Sequence, residues 1–225
     1  SESSALLLAP DARLYFQPSV DYDGSADVTF RAWDQTSGTA GTTADTTANG
    51  GTTAFSIAID TATFDVTAVN DAPAGADKTV TTLEDTAYTF AAGDFGFSDT
   101  HDSPANALLA VKITTLPGSG TLLLNGAAVS AGDFVAASEI AAGHLTFAPA
   151  ADANGAGYAS FSFQVQDDGG TANGGVDLDP SVNTITVDVT SVNDAPAGAD
   201  KTVTTNEDTA YTFAAGDFGF SDTHD

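Results

Sequence analysis

The chain of 225 residues has no cysteine, no methionine, one tryptophan and only five cationic side chains, Arg13, Arg31, Lys78, Lys112 and Lys201. Without cysteine, neither a disulfide nor a thiolate zinc site is available, so stability has to come from packing, hydrogen bonds or oxygen-ligated ions. Long apolar runs are missing too. The longest near the start, residues 5–10, is too short to span a bilayer and has neither a basic flank nor a cleavage site. No membrane insertion is expected in this segment, and any targeting signal is expected outside it. Glutamate is scarce, with 4 Glu against 27 Asp, and the formal net charge is −26. That charge excludes nucleic acid and anionic membrane as default partners. The preference for Asp excludes an acidic helical protein, because Asp competes for its own backbone and gathers at turns, caps and calcium sites. Divalent cations would relieve the self-repulsion; a salt-adapted solvated surface is the alternative reading.

What is present is a repeat. Val69-Asn70-Asp71-Ala72-Pro73 returns unchanged as Val192-Asn193-Asp194-Ala195-Pro196, 123 residues later. Residues 69–102 and 192–225 differ at one position only, Leu83 against Asn206. Identity at that level marks a tandem array. The phasing predicts the later part of one repeat at 1–73, a complete repeat at 74–196 and the opening of the next at 197–225, a window on something longer. The pentapeptide reads as a stiff hinge carrying a carboxylate, since Asn-Asp favours a turn and Pro holds the residue before it extended.

Alternation at period two predicts strands. In the first segment these are residues 14–18, then Val28, Phe30 and Ala32 as a half-buried face, then 54–59 and 63–69 with Phe64 and Val66 inward. Residues 35–53, rich in Thr, Gly and Ala, read as a loop. In the complete repeat, strands are predicted at 78–82, 87–90, 109–113, 120–124, 145–149, 161–165 and 185–189. Asn125-Gly126 signals a type I′ hairpin, which needs φ > 0 at both central positions. Residues 138–143 read as one helical turn with a Ser start and a Gly stop. Short strands with turns between them and almost no helix predict an all-β, two-sheet antiparallel sandwich.

The closing strand with Val-Asn-Asp-Ala-Pro, together with the ordered acidic motifs, resembles the cadherin-like repeats of very large secreted bacterial surface proteins, including calcium-dependent adhesins exported by type I secretion. The resemblance covers nearly the whole chain. It implies tandem β-sandwiches of cadherin/Ig-like Greek-key type, Ca2+ held between consecutive domains and an extracellular or cell-surface location. In the cadherin pattern a Glu follows the first strand, matched by Glu84 and by Glu207. The Asp-x-Asp after the second strand is matched by Asp99 and Asp102, spaced by three. The acidic pair before the penultimate strand is matched by Asp21 with Asp23 and by Asp152 with Asn154; Asp34 and Asp167 end that strand. Sorted by junction, the resemblance implies one ligand set of Asp21, Asp23, Asn70, Asp71, Asp99, Asp102 and Asp167. The other is Glu84, Asp152, Asn154, Asn193, Asp194, Asp222 and Asp225. The physical case is independent of the family. Calcium takes six to eight oxygens at about 2.3–2.6 Å, and no single turn here supplies so many.

Three functions remain open on these residues. A calcium-stiffened extender in an adhesin or biofilm matrix suits near-perfect duplication, with neighbouring repeats as partners. A self-assembling fibre suits the out-of-phase ends, identical chains completing each other's sandwiches by strand exchange. Direct ligand binding would use the loops at 35–53 or 169–180. An enzyme has least support, because no acid/base or nucleophile constellation recurs. His101, His144 and His224 have no companions at metal spacing, and Asp21 to Gly24 opens like an EF-hand loop that no Glu closes. Asp94 and Asp217 read as turn formers. Trp33 reads as packing.

Overall fold

Period-two alternation buries one face of a strand, and the stretch Asn183–Thr190 does so: Asn183, Ile185, Val187 and Val189 are buried while Thr184, Thr186 and Asp188 are half-buried. The computed structural model describes residues 1–222, in two units, Ser1–Val69 and a second that begins at Asn70. The boundary falls inside the first copy of the pentapeptide; the second copy lies within the second unit.

In the first unit β1 (Ala5–Leu6) pairs antiparallel with β3 (Thr43–Ala44), and β2 (Gly24–Phe30) pairs antiparallel with β4 (Asp60–Val66). The predicted strand at 14–18 does not form, and 54–59 contributes a single bridge, Phe55 to Trp33. The predicted inward faces are also corrected. Phe30 and Phe64 are exposed and Val28 only half-buried, because β2 and β4 are a two-stranded ribbon with no third strand beside them among the described residues. A two-stranded ribbon cannot bury an apolar face by itself.

The second unit is a sandwich. Its strands are β5 (Lys78–Leu83), β6 (Tyr88–Thr89), β7 (Leu108–Ile113), β8 (Thr121–Leu124), β9 (Ala127–Ala128), β10 (Phe134–Ala136), β11 (Leu145–Ala148), β12 (Gly155–Asp167) and β13 (Asn183–Thr190). One sheet runs β10-β7-β12-β13-β5, the other β6-β11-β8-β9. Every pairing is antiparallel except β13 with β5, which is parallel. Asn125 and Gly126 turn β8 into β9 with φ of 52° and 78°, as a type I′ hairpin requires. The short helix α1 (Ala137–Ala141) follows β10, which the sequence reading missed. Its cap position is Ala136, so Ser138 sits inside the helix rather than starting it, while Gly143 closes it at φ 76°.

Between the sheets, Phe90 meets Phe161 edge-on at 5.5 Å and Phe95 meets Phe163 edge-on at 5.0 Å, with Val111, Ile113, Leu145, Phe147 and Val187 filling around them. Such rings contribute about 1.5–3 kcal/mol each through burial alone, and edge-on contact adds to that.

The turn after β6 is closed by Asp94, a turn former as expected. Its Oδ2 accepts from the Ala91 N–H at 2.8 Å and the Tyr88 hydroxyl at 3.2 Å; its Oδ1 pairs with Lys78 Nζ at 2.7 Å. Burial pushes the Asp94 carboxyl up, but the Ala91 N–H and Lys78 outweigh it and hold the carboxyl below the ordinary 3.8. A depressed folded-state value gives stability that is present above 3.8 and lost as pH falls below it. Asp94→Asn should therefore flatten the acid limb of the unfolding curve below pH 3.8. Melting curves of both proteins across that interval check it; an unchanged acid limb would refute the assignment.

Residues 197–222 repeat this turn module closely. Ala197 bridges Ser221 as Ala74 bridges Ser98, Lys201 pairs with Asp217, and the Tyr211 hydroxyl donates to Asp217 Oδ2 at 3.1 Å. Yet residues 201–206 form no strand where their copy is β5. Phe90 and Phe95 are 1% and 0% exposed, whereas Phe213 and Phe218 are each 60% exposed.

Candidate metal centre

Near the start of the second unit, the linker Asn70-Asp71 meets the loop after β6 and the end of β12. The Asn70 carboxamide donates to Asp167 Oδ1 and Oδ2 at 3.2 and 3.3 Å and to the Val176 carbonyl at 2.7 Å. Its own oxygen accepts from the Asn106 carboxamide. The Asp71 N–H donates to Asp102 Oδ2 at 3.0 Å, and the Asn106 N–H donates to Asp99 Oδ2 at 2.6 Å. Gly169 makes this approach possible: a Cβ there would overlap both the Asn70 and the Asn106 side chains. Backbone without a side chain is what lets the linker lie against the end of β12.

Asn70, Asp71, Asp99, Asp102 and Asp167 are thus brought together within one unit. Asp21 and Asp23, assigned to the same set, lie exposed in the first unit at the turn into β2. Asp99 is 9% exposed, and its Oδ1 is buried with no hydrogen-bond partner. Burial raises the Asp102 carboxyl above its ordinary value, and the neighbouring Asp99 and Asp71 carboxylates raise it further against the Asp71 N–H. Burial also raises Asp167, with Asp99 and Asp177 adding to it and the Gly169 N–H and Asn70 opposing. Both shifts come first from burial, with neighbouring carboxylates adding to it.

The second predicted set is partly assembled. Buried Glu84 accepts from Asn154 Nδ2 at 2.9 Å through Oε2 and from the Val192 N–H through Oε1. The Asp152 N–H donates to Asp85 Oδ1 at 3.2 Å. Asn193 is exposed and donates to the Asp194 carbonyl at 2.8 Å. Asp194 is half-buried and Asp222 exposed; Asp225 lies outside the described residues. Asp21 and Asp152 are both left-handed, at φ 56° and 54°, so the two acidic turns share their backbone as well as their motif.

The sequence reading missed Asn106, Asp168 and Asp177. Asp168 Oδ1 accepts from the Ala107 N–H at 2.7 Å, tying the loop before β7 to the end of β12. Asn106 is in the same acidic loop as Asp102, which is the one signal that points to it.

Among the described residues, no three Asp, Glu or His side chains stand close enough to hold a metal ion as they are placed. The donor chemistry nonetheless fits a hard cation. The acids offer oxygens, one of them a buried carboxylate oxygen of Asp99 without a partner, while burial first and neighbouring carboxylates second raise the Asp102 and Asp167 carboxyls; the Asn70 carboxamide presents its N–H groups to Asp167.

Residues 70–190, more than half of the chain, match the bacterial Ig domain family. The chain belongs to that family. No curated protein and no solved structure matches it. Bacterial Ig domains are typically non-catalytic and commonly extracellular, and cadherin-like repeats share their sandwich architecture. The match supports an Ig-like repeat and says nothing specific to cadherin-like adhesins. No helix among the described residues is long and apolar enough to cross a membrane. The candidate centre sits where this Ig domain begins, at Asn70.

Proposed function

We propose that this bacterial Ig domain chain is a non-catalytic extender segment of a large extracellular adhesin or matrix protein, cadherin-like in using calcium to stiffen the joints between repeats. The observation that carries the reading is Asp99, buried with an oxygen that has no hydrogen-bond partner and close enough to Asp102 and Asp167 to raise both carboxyls. Turning the Asn70 carboxamide over would present its oxygen, in place of its N–H groups, to the side where Asp167 lies. Asp102 Oδ2 accepts from the Asp71 N–H and, as a carboxylate oxygen, would keep a lone pair for a cation. Calcium takes six to eight oxygens, so further ligands beyond Asp71, Asp99, Asp102 and Asp167 would be needed to complete the shell. The corresponding set for the next joint is Glu84, Asp152, Asn154, Asn193, Asp194, Asp222 and Asp225.

At millimolar calcium and a Kd of ~10⁻⁴ M, as in extracellular modules, one site would stabilise the fold by about 1.4 kcal/mol. Calorimetric titration of the chain with calcium should give saturable binding, and small-angle scattering should show a longer particle with calcium than with chelator. Absence of both effects sinks the reading.

A second reading, a fibre of identical chains, is favoured by one observation. The outer edge of β4 is unpaired among the described residues, in a ribbon whose aromatic side chains are exposed.

A further inference from the structure

We propose that Asn154-Gly155 is a spontaneous deamidation site, and that the aspartate it yields loosens the tie between buried Glu84 and the linker at Val192. No cation takes part, so the calcium reading is not required.

The fold itself demands the labile pair. Gly155 has φ 144°, a backbone that residues with side chains rarely adopt, and it opens β12 where the pairing with β13 is irregular, the register shifting between Gly155 and Ala159. A Cβ at Gly155 would meet no atom within 4 Å, and Asn154 is exposed. Glycine after asparagine leaves the attacking backbone nitrogen without a flanking side chain, which is the condition under which this thermolabile residue deamidates fastest.

The reaction needs only water. The Gly155 nitrogen loses its proton and bonds to Asn154 Cγ; the Cγ–Nδ2 bond breaks, and ammonia departs with that proton. Water then opens the cyclic imide. Breaking the new bond gives aspartate on the original backbone, and breaking the old peptide bond gives isoaspartate. The first product already has a place in this fold. Residues 21–24, Asp-Tyr-Asp-Gly, match 152–155, Asp-Ala-Asn-Gly, so Asp23 stands in the first unit where Asn154 stands in the second. Both turns share their backbone, with Asp21 and Asp152 at φ 56° and 54° and Gly24 at φ 118° in the place of Gly155.

What changes is the charge at one contact. Asn154 Nδ2 donates to Glu84 Oε2 at 2.9 Å, and Glu84, 3% exposed, holds the Val192 N–H through Oε1. Aspartate in place of Asn154 removes that donor and sets a second carboxylate against the buried one, a like-charge pair that water screens poorly. Glu84 then turns away or takes up a proton. Either response weakens its hold on Val192, where the second pentapeptide begins. Asn125-Gly126 provides the contrast. Asn125 Nδ2 also donates to a carboxylate, Glu139 Oε2 at 2.9 Å, but that side chain is 39% exposed and has His144 Nδ1 at 2.7 Å. The same conversion there should leave stability nearly unchanged.

Peptide mapping by mass spectrometry, on the chain fresh and after storage at mildly alkaline pH, tests the site. Storage should convert Asn154 to aspartate and isoaspartate. Melting in chelator tests the effect: Asn154→Asp should melt about 5 °C below the natural chain at low salt. It should also melt below Asn154→Ala, which loses the donor without gaining a charge, and the gap between the two variants should narrow as salt screens the repulsion. Hydrogen exchange at the Val192 amide should be several-fold faster in Asn154→Asp than in the natural chain. Asn154 left intact by storage that deamidates an unstructured Asn-Gly peptide would overturn the site. Conversion at Asn154 with melting and Val192 exchange unchanged would overturn its effect on the linker.

Discussion

Phe90→Ala should cost the second unit about 3–5 kcal/mol, while Phe213→Ala, in an almost identical stretch of sequence, should change its stability by less than about 0.5 kcal/mol. Phe90 is enclosed by Tyr88 at 5.0 Å, Phe95 at 5.9 Å and Phe161 at 5.5 Å. Removing its ring leaves a cavity that β6 and β12 cannot close without losing their own packing. Phe213 keeps the local contacts, Tyr211 at 5.2 Å and Phe218 at 5.9 Å, but nothing corresponding to Phe161 covers it among the described residues. Chemical denaturation at low protein concentration, followed by circular dichroism, gives both values. Equal losses would mean that the two copies are equally packed. Since domains are typically stable by about 5–15 kcal/mol, the Phe90 substitution alone would remove a large share.

The second large effect concerns Asp99. In chelator, Asp99→Asn should raise stability by on the order of 1 kcal/mol, and in millimolar calcium the stabilisation of about 1.4 kcal/mol should vanish. The Asn106 N–H keeps an acceptor in the variant, because Asn retains one oxygen, while the side facing Asp102 gains a donor in place of a charge. Repulsion that destabilises the metal-free domain is the same feature that would attract a cation. Melting temperatures of the two proteins in calcium and in chelator separate the two effects, with a calcium-dependent rise of about 5 °C expected for the natural chain only. A variant that kept the full rise would remove Asp99 from the site.

Much of the sandwich was legible because period-two alternation and turn chemistry act locally. β5, β7, β8, β11, β12 and β13 fall where alternation places them, and Asn125-Gly126 turns where its φ demands. One grouping of acids was legible as well: Asn70 bonds to Asp167, 97 residues away, and Asp71 to Asp102, with Asp99 close to both Asp102 and Asp167, although no three of the described acids stand close enough to hold a metal ion. Asn106 escaped because a carboxamide in a loop carries no charge signature, and its role depends on which linker atom reaches it. The strands read at 14–18 and 54–59 failed for the opposite reason. Alternation states which face would be buried but cannot supply the layer that buries it.

The duplicated stretches divide the two contributions most clearly. Sequence alone determined the repeat spacing, the all-β class and the small turn module, which closes in both copies because Lys, Tyr, Asp and the backbone they bind lie within about twenty residues of one another. Whether Lys-Thr-Val-Thr-Thr becomes a strand was decided by tertiary structure. At 78–82 it lies along β13 and is part of a sheet, and at 201–205 it has no such neighbour among the described residues and is not. A strand needs a partner's backbone to satisfy its N–H and carbonyl groups, and that partner is not written in the strand itself.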